Sequence, residues 1–211
     1  ISPRLPRKER FCPMSLLTSK LPDSVRVCGK GYPVRTDFRT WLHFEELMLE
    51  EKTRGSERMV RLYDLCFTGE RPSALRSALS ALCRFFSGRA DEETGTEEKP
   101  KEGRKSASRT LDFSFDAGLI YAAFREVYGI DLLSEQNADL HWHVFLALLR
   151  ALPDECRLCR VMSLRAMKLS DISDPDARRR YAELKEACAL PDKRSEEEKQ
   201  KALDDTVAQG F

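Results

Sequence analysis

Residues 111–152 read LDFSFDAGLIYAAFREVYGIDLLSEQNADLHWHVFLALLRAL, and most of their strongly apolar side chains recur at intervals of three and four residues. This spacing predicts two helices, because it places side chains on one helix face. Gly129 is expected to end the first helix, since glycine adopts the left-handed C-cap conformation without a Cβ penalty. The second helix is predicted to begin near Ala138 or Asp139 and to fold back on the first. The predicted apolar faces are Phe115, Leu119, Ile120, Ala123, Phe124, Val127 and Tyr128 in the first helix, and Leu140, Trp142, Phe145, Leu146, Leu149 and Leu152 in the second.

A short β-hairpin is predicted near the beginning of the chain. Residues 25–28 and 32–34 are β-favouring runs, and they flank a Gly-Lys-Gly sequence at 29–31 that favours a tight turn. Pro33 limits the second run to an edge strand, because proline lacks the N–H that a central strand donates. Three amphipathic helices are predicted to follow, beginning after Thr36 or Asp37 as N-cap, near Ser56 and near Ser73.

Helical patterns continue beyond residue 152. Pro153 suits the first turn of a helix that runs to about Met167. Asp174 and Pro175 are expected to open another helix, and residues 196–207 predict a last, highly charged one that docks loosely. Tyr181, Leu184, Ala187 and Cys188 are predicted to lie on one side of the helix after Asp174.

The chain of 211 residues is predicted to be mainly α-helical, with a helical bundle-like domain, a short N-terminal β-hairpin and a disordered charged linker. The linker has no aromatic or branched aliphatic residue and cannot bury apolar surface. Whether the chain forms one domain or two stays open. The predicted parts are a disordered basic tail (1–20), a β-hairpin with a helical front section (21–88), the flexible linker (89–110), an aromatic-rich helical core (111–191) and a charged C-terminal helix or tail (192–211).

The charge balance, the longest apolar run and the cysteine content limit the kinds of partner and the cellular location that we expect. Lysine plus arginine (36) nearly balances aspartate plus glutamate (35), and the net charge of +1 gives no reason to expect nucleic acid or an anionic membrane as a partner. The longest apolar run, residues 144–149, is far shorter than the ~20 residues of a membrane helix. No apolar signal-peptide core follows the basic N-terminus, so the protein is expected in the cytosol. Seven scattered cysteines indicate reduced, buried thiols.

Two pairs of potential metal ligands occur, Cys156 with Cys159 and His141 with His143. On one helix the two histidines would point roughly 200° apart, so they could not both bind the same metal ion. The favoured interpretation of Cys156 and Cys159 is therefore a pair of buried cysteines one turn apart. No motif for a catalytic nucleophile, nucleotide or zinc protease is present, so no enzyme activity and no cofactor are predicted. A small metal- or thiol-dependent enzyme that uses the cysteine pair and His141 is kept as a remote alternative. Capping accounts for the three aspartates that flank predicted helix ends, Asp112, Asp116 and Asp131.

Several separate motifs recur in one order and resemble a phage family named after gene product fifteen. The resemblance covers most of residues 21–191, with a variable linker between its front and rear blocks. This sequence has His143 where the resemblance leads us to expect a second tryptophan, which makes the aromatic cluster smaller. The motifs are YPVRTDFRTW at 32–41, FEEL at 44–47, Asp112-Phe113, Asp116, LIYAAF at 119–124, YGIDL at 128–132, Leu140-His141-Trp142 with Phe145, and Leu152-Pro153.

The resemblance implies a tailed-phage or prophage protein of the tail morphogenesis module. It implies a tail-assembly chaperone or adaptor in the host cytoplasm that binds helical segments of the tape-measure protein, with the major tail protein as a second candidate partner. The alternative is a structural tail component that is retained in the virion. Neither nucleic acid nor a membrane is expected as a partner.

Seven residues are predicted to bind the partner. For each of them the alternative is a role in maintaining the fold, and for the tryptophans core packing is the favoured interpretation because large aromatic residues are more often buried. The predicted residues are Tyr32, Arg39 and Trp41 in the front block and Tyr128, Asp131, His141 and Trp142 in the rear block.

Overall fold

The computed structural model describes residues 20–50, 55–88 and 109–191. Within these ranges the chain forms a two-stranded antiparallel sheet and seven α-helices, so the mainly helical fold class with a short N-terminal hairpin is confirmed. Almost all of the predicted tail, linker and C-terminal segment lies outside the described residues. The elements are β1 (Ser24–Val27), β2 (Lys30–Pro33), α1 (Phe38–Leu49), α2 (Gly55–Cys66), α3 (Leu75–Phe86), α4 (Ala117–Tyr128), α5 (Trp142–Arg150), α6 (Arg157–Ala166) and α7 (Pro175–Ala187), with 3₁₀ turns at Glu135–Asn137 and Leu169–Asp171.

The described residues group into two compact units that do not follow the order of the chain. Residues 133–150, which the sequence analysis placed in the core 111–191, group instead with the front section. The two helices predicted to fold back on each other, α4 and α5, therefore belong to different units. Unit 1 contains residues 20–48, 55–88 and 133–150, and unit 2 contains residues 49–50, 109–132 and 151–191.

The hairpin of unit 1 pairs Ser24 with Pro33. The described sheet has two strands, so β2 is an edge strand as predicted, although it ends at Pro33 and not at Val34. The turn of the hairpin differs from the expected Gly-Lys-Gly, because residues 30 and 31 already belong to β2. Cys28 and Gly29 form the turn instead, with φ of 51° and 79°. Two consecutive left-handed residues are typical of a type I′ turn, whose twist matches that of the strands.

The first helix of unit 1 is capped by Asp37, one of the two predicted N-caps. Its carboxylate accepts hydrogen bonds from the backbone N–H of Thr40 (2.9 Å) and from the Thr40 hydroxyl (2.8 Å). The start of α3 was predicted near Ser73, but the helix begins at Leu75 without a side-chain cap. Leu75 itself is 53% exposed. The buried residues of the three helices are Phe38, Thr40, Trp41 and Phe44 in α1, Leu62, Tyr63 and Cys66 in α2, and Ala78, Ala81, Leu82 and Phe85 in α3.

Helix α5 begins at Trp142, later than the predicted start near Ala138 or Asp139. The backbone N–H of Trp142 donates to the carbonyl of Thr36 (2.7 Å), and the N–H of Phe38 donates to the carbonyl of Leu140 (2.9 Å). These bonds pair the chain before α5 with the chain before α1, and they compete with helix formation there. The same pairing explains why residues 133–150 group with unit 1.

In unit 2, α4 packs against α6 and ends as predicted. Gly129 has a φ of 68°, and its N–H donates to the carbonyl of Arg125, which is a left-handed C-cap. Two members of the predicted apolar face, Phe115 and Val127, are 55% and 36% exposed. The buried members of the predicted face are Ile120, Ala123 and Phe124.

Helix α6 begins at Arg157, four residues beyond the predicted first turn at Pro153. Cys156 is the N-cap, and its Sγ accepts a hydrogen bond from the N–H of Cys159. Helix α7 begins at Pro175 with Asp174 as its N-cap, as predicted.

Candidate functional site

The two tryptophans predicted to bind a partner lie in the interior of unit 1, and neither is exposed. Trp41 stacks on Phe85 with ring centroids 4.5 Å apart, and Trp142 stacks on Phe86 at 5.1 Å. Their indole N–H groups donate to the backbone carbonyls of Arg35 and Phe86, both at 2.8 Å. Buried aromatic rings whose polar atoms are satisfied in this way serve packing, which is the interpretation that the sequence analysis favoured.

His141 lies beside this aromatic cluster and is bound on both ring nitrogens. Its Nε2 donates to the carbonyl of Pro22 (3.0 Å), and its Nδ1 accepts from the backbone N–H of His143 (3.0 Å). Burial lowers the pKa of His141, because it disfavours the charged imidazolium, against the opposing effect of the Pro22 carbonyl and the Asp23 carboxylate. His141 is therefore a neutral residue that ties the chain before the hairpin to the start of α5.

His143 does not point away from His141, contrary to the helical geometry assumed for the pair. Their ring centroids are 5.2 Å apart, because α5 begins after His141. The Nε2 of His143 donates to the carbonyl of Phe85 at 2.8 Å. Both Nε2 atoms thus face backbone oxygens, an arrangement that serves to hold the fold together.

Tyr32 and Arg39 are the other two predicted residues of unit 1, and both are partly exposed. Tyr32 meets Phe67 edge-on at 6.3 Å, with the ammonium of Lys30 5.2 Å from its ring centroid. Arg39 donates to the carbonyl of Ser134 (3.2 Å) and lies 3.7 Å from the carboxylate of Glu135. Arg39 thereby holds the 3₁₀ turn that precedes α5.

Tyr128 and Asp131 belong to unit 2. Tyr128 meets Phe124 edge-on at 5.7 Å, and burial raises its pKa, with Cys156 and Cys159 adding to the shift. The carboxylate of Asp131 lies 3.7 Å from the guanidinium of Arg125. The structure therefore brings five of the seven predicted residues together in unit 1 and the other two in unit 2.

A buried ion pair in unit 2 was missed by the sequence analysis. Arg165 and Asp116 are 5% and 1% exposed, and two hydrogen bonds of 2.6 and 2.9 Å join them. Arg165 also donates to the carbonyls of Cys188 (2.6 Å) and Thr110 (3.0 Å). Asp116 precedes α4 as expected but makes no side-chain cap. One signal in the sequence could have indicated this pair. Arg165 follows Leu158 by seven residues, so the two lie on the same face of the helix, where an apolar side chain would be expected.

Asp112 fits the predicted capping role more closely. Its Oδ1 accepts hydrogen bonds from the backbone N–H groups of Ser114 (3.0 Å) and Phe115 (2.9 Å), and its Oδ2 lies 3.2 Å from the guanidinium of Arg109. Its own N–H donates to Asp116 at 3.0 Å. Asp112 therefore forms the turn that leads into α4.

Cys156 and Cys159, at the start of α6, have structural roles. Cys156 is buried and caps the helix, and burial raises the pKa of Cys159 to about 11, with Cys156 adding to the shift. A thiol with so high a pKa is protonated at neutral pH, whereas thiolates are the reactive and metal-binding form. In the part of the chain that the structure describes, no group of three or more His, Cys, Asp or Glu residues is placed to hold a metal ion.

Helix α7 has no buried residue, so the apolar side predicted for it is not covered by the rest of the unit. Arg178 and Lys185 attach it to unit 2 by donating to the carbonyls of Ile172 and Met167. Tyr181 and Leu184 lie on a neighbouring face and are 39% and 52% exposed. We call the face formed by Ala177, Tyr181, Leu184 and Cys188 the α7 stripe.

The chain was compared with protein families, curated proteins and solved structures. The model of a family described as Bacteriophage Gp15 protein matches residues 17–190, which cover most of both units and all seven predicted partner-binding residues. No curated protein and no solved structure matches the chain. Among the described helices, none is long and apolar enough to cross a membrane.

Proposed function

The chain belongs to the bacteriophage Gp15 protein family, and we propose from this premise that it is a non-enzymatic tail-assembly chaperone or adaptor. Membership of this family supports a structural or morphogenetic role in phage. Within that role, the proposed partner is the tape-measure protein, bound through helical segments in the host cytoplasm, with the major tail protein as a second partner. No nucleic acid, membrane or cofactor takes part.

The α7 stripe supports a binding role. A helix that keeps Tyr181 and Leu184 at its surface, while polar side chains attach it to its unit, offers apolar area to another helix. Amphipathic helices dock on such apolar surfaces through anchors spaced three and four residues apart. Tyr181 and Leu184 have this spacing. The candidate binding surface therefore lies on unit 2, and the buried tryptophans of unit 1 serve to shape the fold.

Affinity capture of the tagged full chain from cells that are assembling tails tests this function. Mass spectrometry of the captured proteins should find the tape-measure protein, and mass spectrometry of finished tails should not find the chain. Capture that yields no tail protein would overturn the proposal. Persistence of the chain in finished tails would identify a structural tail component instead.

The Cys159→Ser variant tests the thiol-dependent alternative. The variant should fold and give an unchanged yield of tails, because a protonated, partly buried thiol has a packing role. The tail yield of a phage that carries the variant gene is compared with that of wild type and of Cys28→Ser, which alters an exposed cysteine. A yield lowered in Cys159→Ser alone, in a protein with unchanged helicity by circular dichroism, would favour thiol chemistry.

A further inference from the structure

A cavity of about 620 Å³ opens on the surface of unit 2 beside α7. Ala166, Met167 and Leu169 supply its apolar wall, and Lys168 and Lys185 supply two cations. No carboxylate occurs among the described residues that line it. The remaining lining residues are Thr110 and Ser170, so the cavity combines an apolar surface with positive charge and hydroxyl groups.

The cavity adjoins the α7 stripe. Tyr181 precedes Lys185 by four residues on α7, so the two side chains are neighbours on the helix surface. Lys185 uses one of its three N–H donors on the carbonyl of Met167 at 2.5 Å, which fixes its ammonium at the edge of the cavity. Apolar side chains and two ammonium groups therefore lie side by side on one face of unit 2.

We infer that this face binds an amphipathic helix that carries acidic residues beside its apolar anchors. The inference rests on the proposed function and identifies the chemistry of the partner segment. Apolar anchors of the partner would cover Tyr181 and Leu184, and a carboxylate one turn away would meet Lys168 and Lys185. Charge complementarity of this kind sets which helices bind and in which direction they lie.

Nucleic acid is a poorer fit to the same face. The exposed Tyr181 and Leu184 match apolar anchors of a helix better than they match phosphates. An acidic amphipathic helix satisfies both the lysines and the stripe.

Site-specific photocrosslinking in cells that are assembling tails tests the inference. Tyr181 is replaced in the full chain by the photoreactive p-benzoylphenylalanine, and the control carries the same group at Val60 on α2, which is 58% exposed in unit 1. The expected result is a crosslink from position 181, absent from position 60, to a helical segment of a tail protein with Asp or Glu beside its apolar residues. Circular dichroism confirms that both variants keep the wild-type helicity.

A second variant tests the role of charge. Lys168→Glu, combined with the probe at position 181, should lower the crosslink yield about threefold to tenfold, because an attraction becomes a repulsion. Replacing the partner's acidic residue by Lys should then restore the yield. An unchanged yield in Lys168→Glu would overturn the charge recognition.

The remaining outcomes separate this inference from the proposed function. A crosslink to a second copy, to residues 192–211 of the same chain or to a segment without acidic residues would overturn the inference. The inference is also overturned if position 181 gives no crosslink while affinity capture retrieves the tape-measure protein. In that case the proposed function still stands. If capture retrieves no tail protein, the proposed function fails as well.

Discussion

Arg165 makes four hydrogen bonds through its guanidinium, two to the carboxylate of Asp116 and two to backbone carbonyls. Moving a guanidinium and a carboxylate out of water is unfavourable, and mutual hydrogen bonds offset that cost only when both partners are present. The pair connects the start of α4 with the end of α7 within unit 2. The stability of the unit therefore depends on keeping both partners.

Replacing Asp116 by Asn should destabilise the protein strongly. The substitution leaves the buried cation of Arg165 without its countercharge, which typically costs about 3–5 kcal/mol. Urea unfolding followed by circular dichroism measures the change in the free energy of unfolding. The control is Glu183→Gln, which alters the exposed pair that Glu183 forms with Arg179 at 3.8 Å and should cost less than about 1 kcal/mol. Equal effects of the two variants would contradict the structural role of the buried pair.

His141 predicts a dependence of stability on pH. Its folded-state pKa lies below the usual value of 6.5 because of burial, so the unfolded chain binds a proton more readily than the folded protein. The stabilisation is therefore complete above about pH 6.5 and is lost as the pH falls through the folded-state pKa. The free energy of unfolding measured between about pH 8 and pH 5 should fall less steeply in His141→Gln than in wild type.

A free energy of unfolding that fell equally steeply in His141→Gln and in wild type would contradict the neutral, doubly bonded state of His141 in the folded protein.

At the scale of single elements, the sequence predicted those helix ends that depend on a few neighbouring residues. Asp37, Asp174 and Gly129 were identified because N-caps and left-handed C-caps have local causes. The start of α5 was misplaced because backbone bonds to Thr36 and Phe38, about a hundred residues earlier in the chain, hold Leu140 and His141 out of a helix. Local periodicity contains no information on such distant pairing.

The hairpin turn gives a prediction of increased stability. Cys28 adopts a φ of 51°, a conformation that is unfavourable for most residues with a Cβ but readily adopted by asparagine. Cys28→Asn creates the Asn-Gly pair that type I′ turns prefer, and it should raise the free energy of unfolding by about 0.5–1 kcal/mol. Thermal unfolding measures the gain. Cys28→Val should lower the midpoint, and a higher midpoint in that variant would contradict the turn geometry.

At the scale of the whole molecule, the sequence predicted the mainly helical class but did not predict which segments group together. Trp142 and Phe145 were recognised as core residues, yet their partners, Phe86 and Phe38, are brought to them only by folding. The candidate surface escaped prediction for a related reason. Periodicity identifies an apolar face such as that of Tyr181 and Leu184, but it does not tell what covers that face.

A fragment of residues 20–88 should not fold by itself. It lacks α5, whose Trp142 and Phe145 are fully buried in unit 1, and each large apolar side chain contributes about 1.5–3 kcal/mol when buried. Amide NMR spectra should show poor dispersion until a peptide of residues 133–150 is added. A peptide with Trp142→Ala and Phe145→Ala is the control and should fail to restore dispersion. A folded fragment without any peptide would contradict the grouping of unit 1.

The discontinuous make-up of unit 1 also has a consequence for the order of events on the ribosome. Bacterial and other ribosomes add about 5–20 residues per second, so the roughly sixty residues between the ends of α3 and α5 take on the order of 3–12 s to synthesise. During that interval Phe38, Phe85 and Phe86 lack the rings that α5 places against them in the finished unit, which belong to Phe145, His143 and Trp142. The nascent chain therefore presents an aromatic surface to ribosome-bound chaperones until its own later residues emerge.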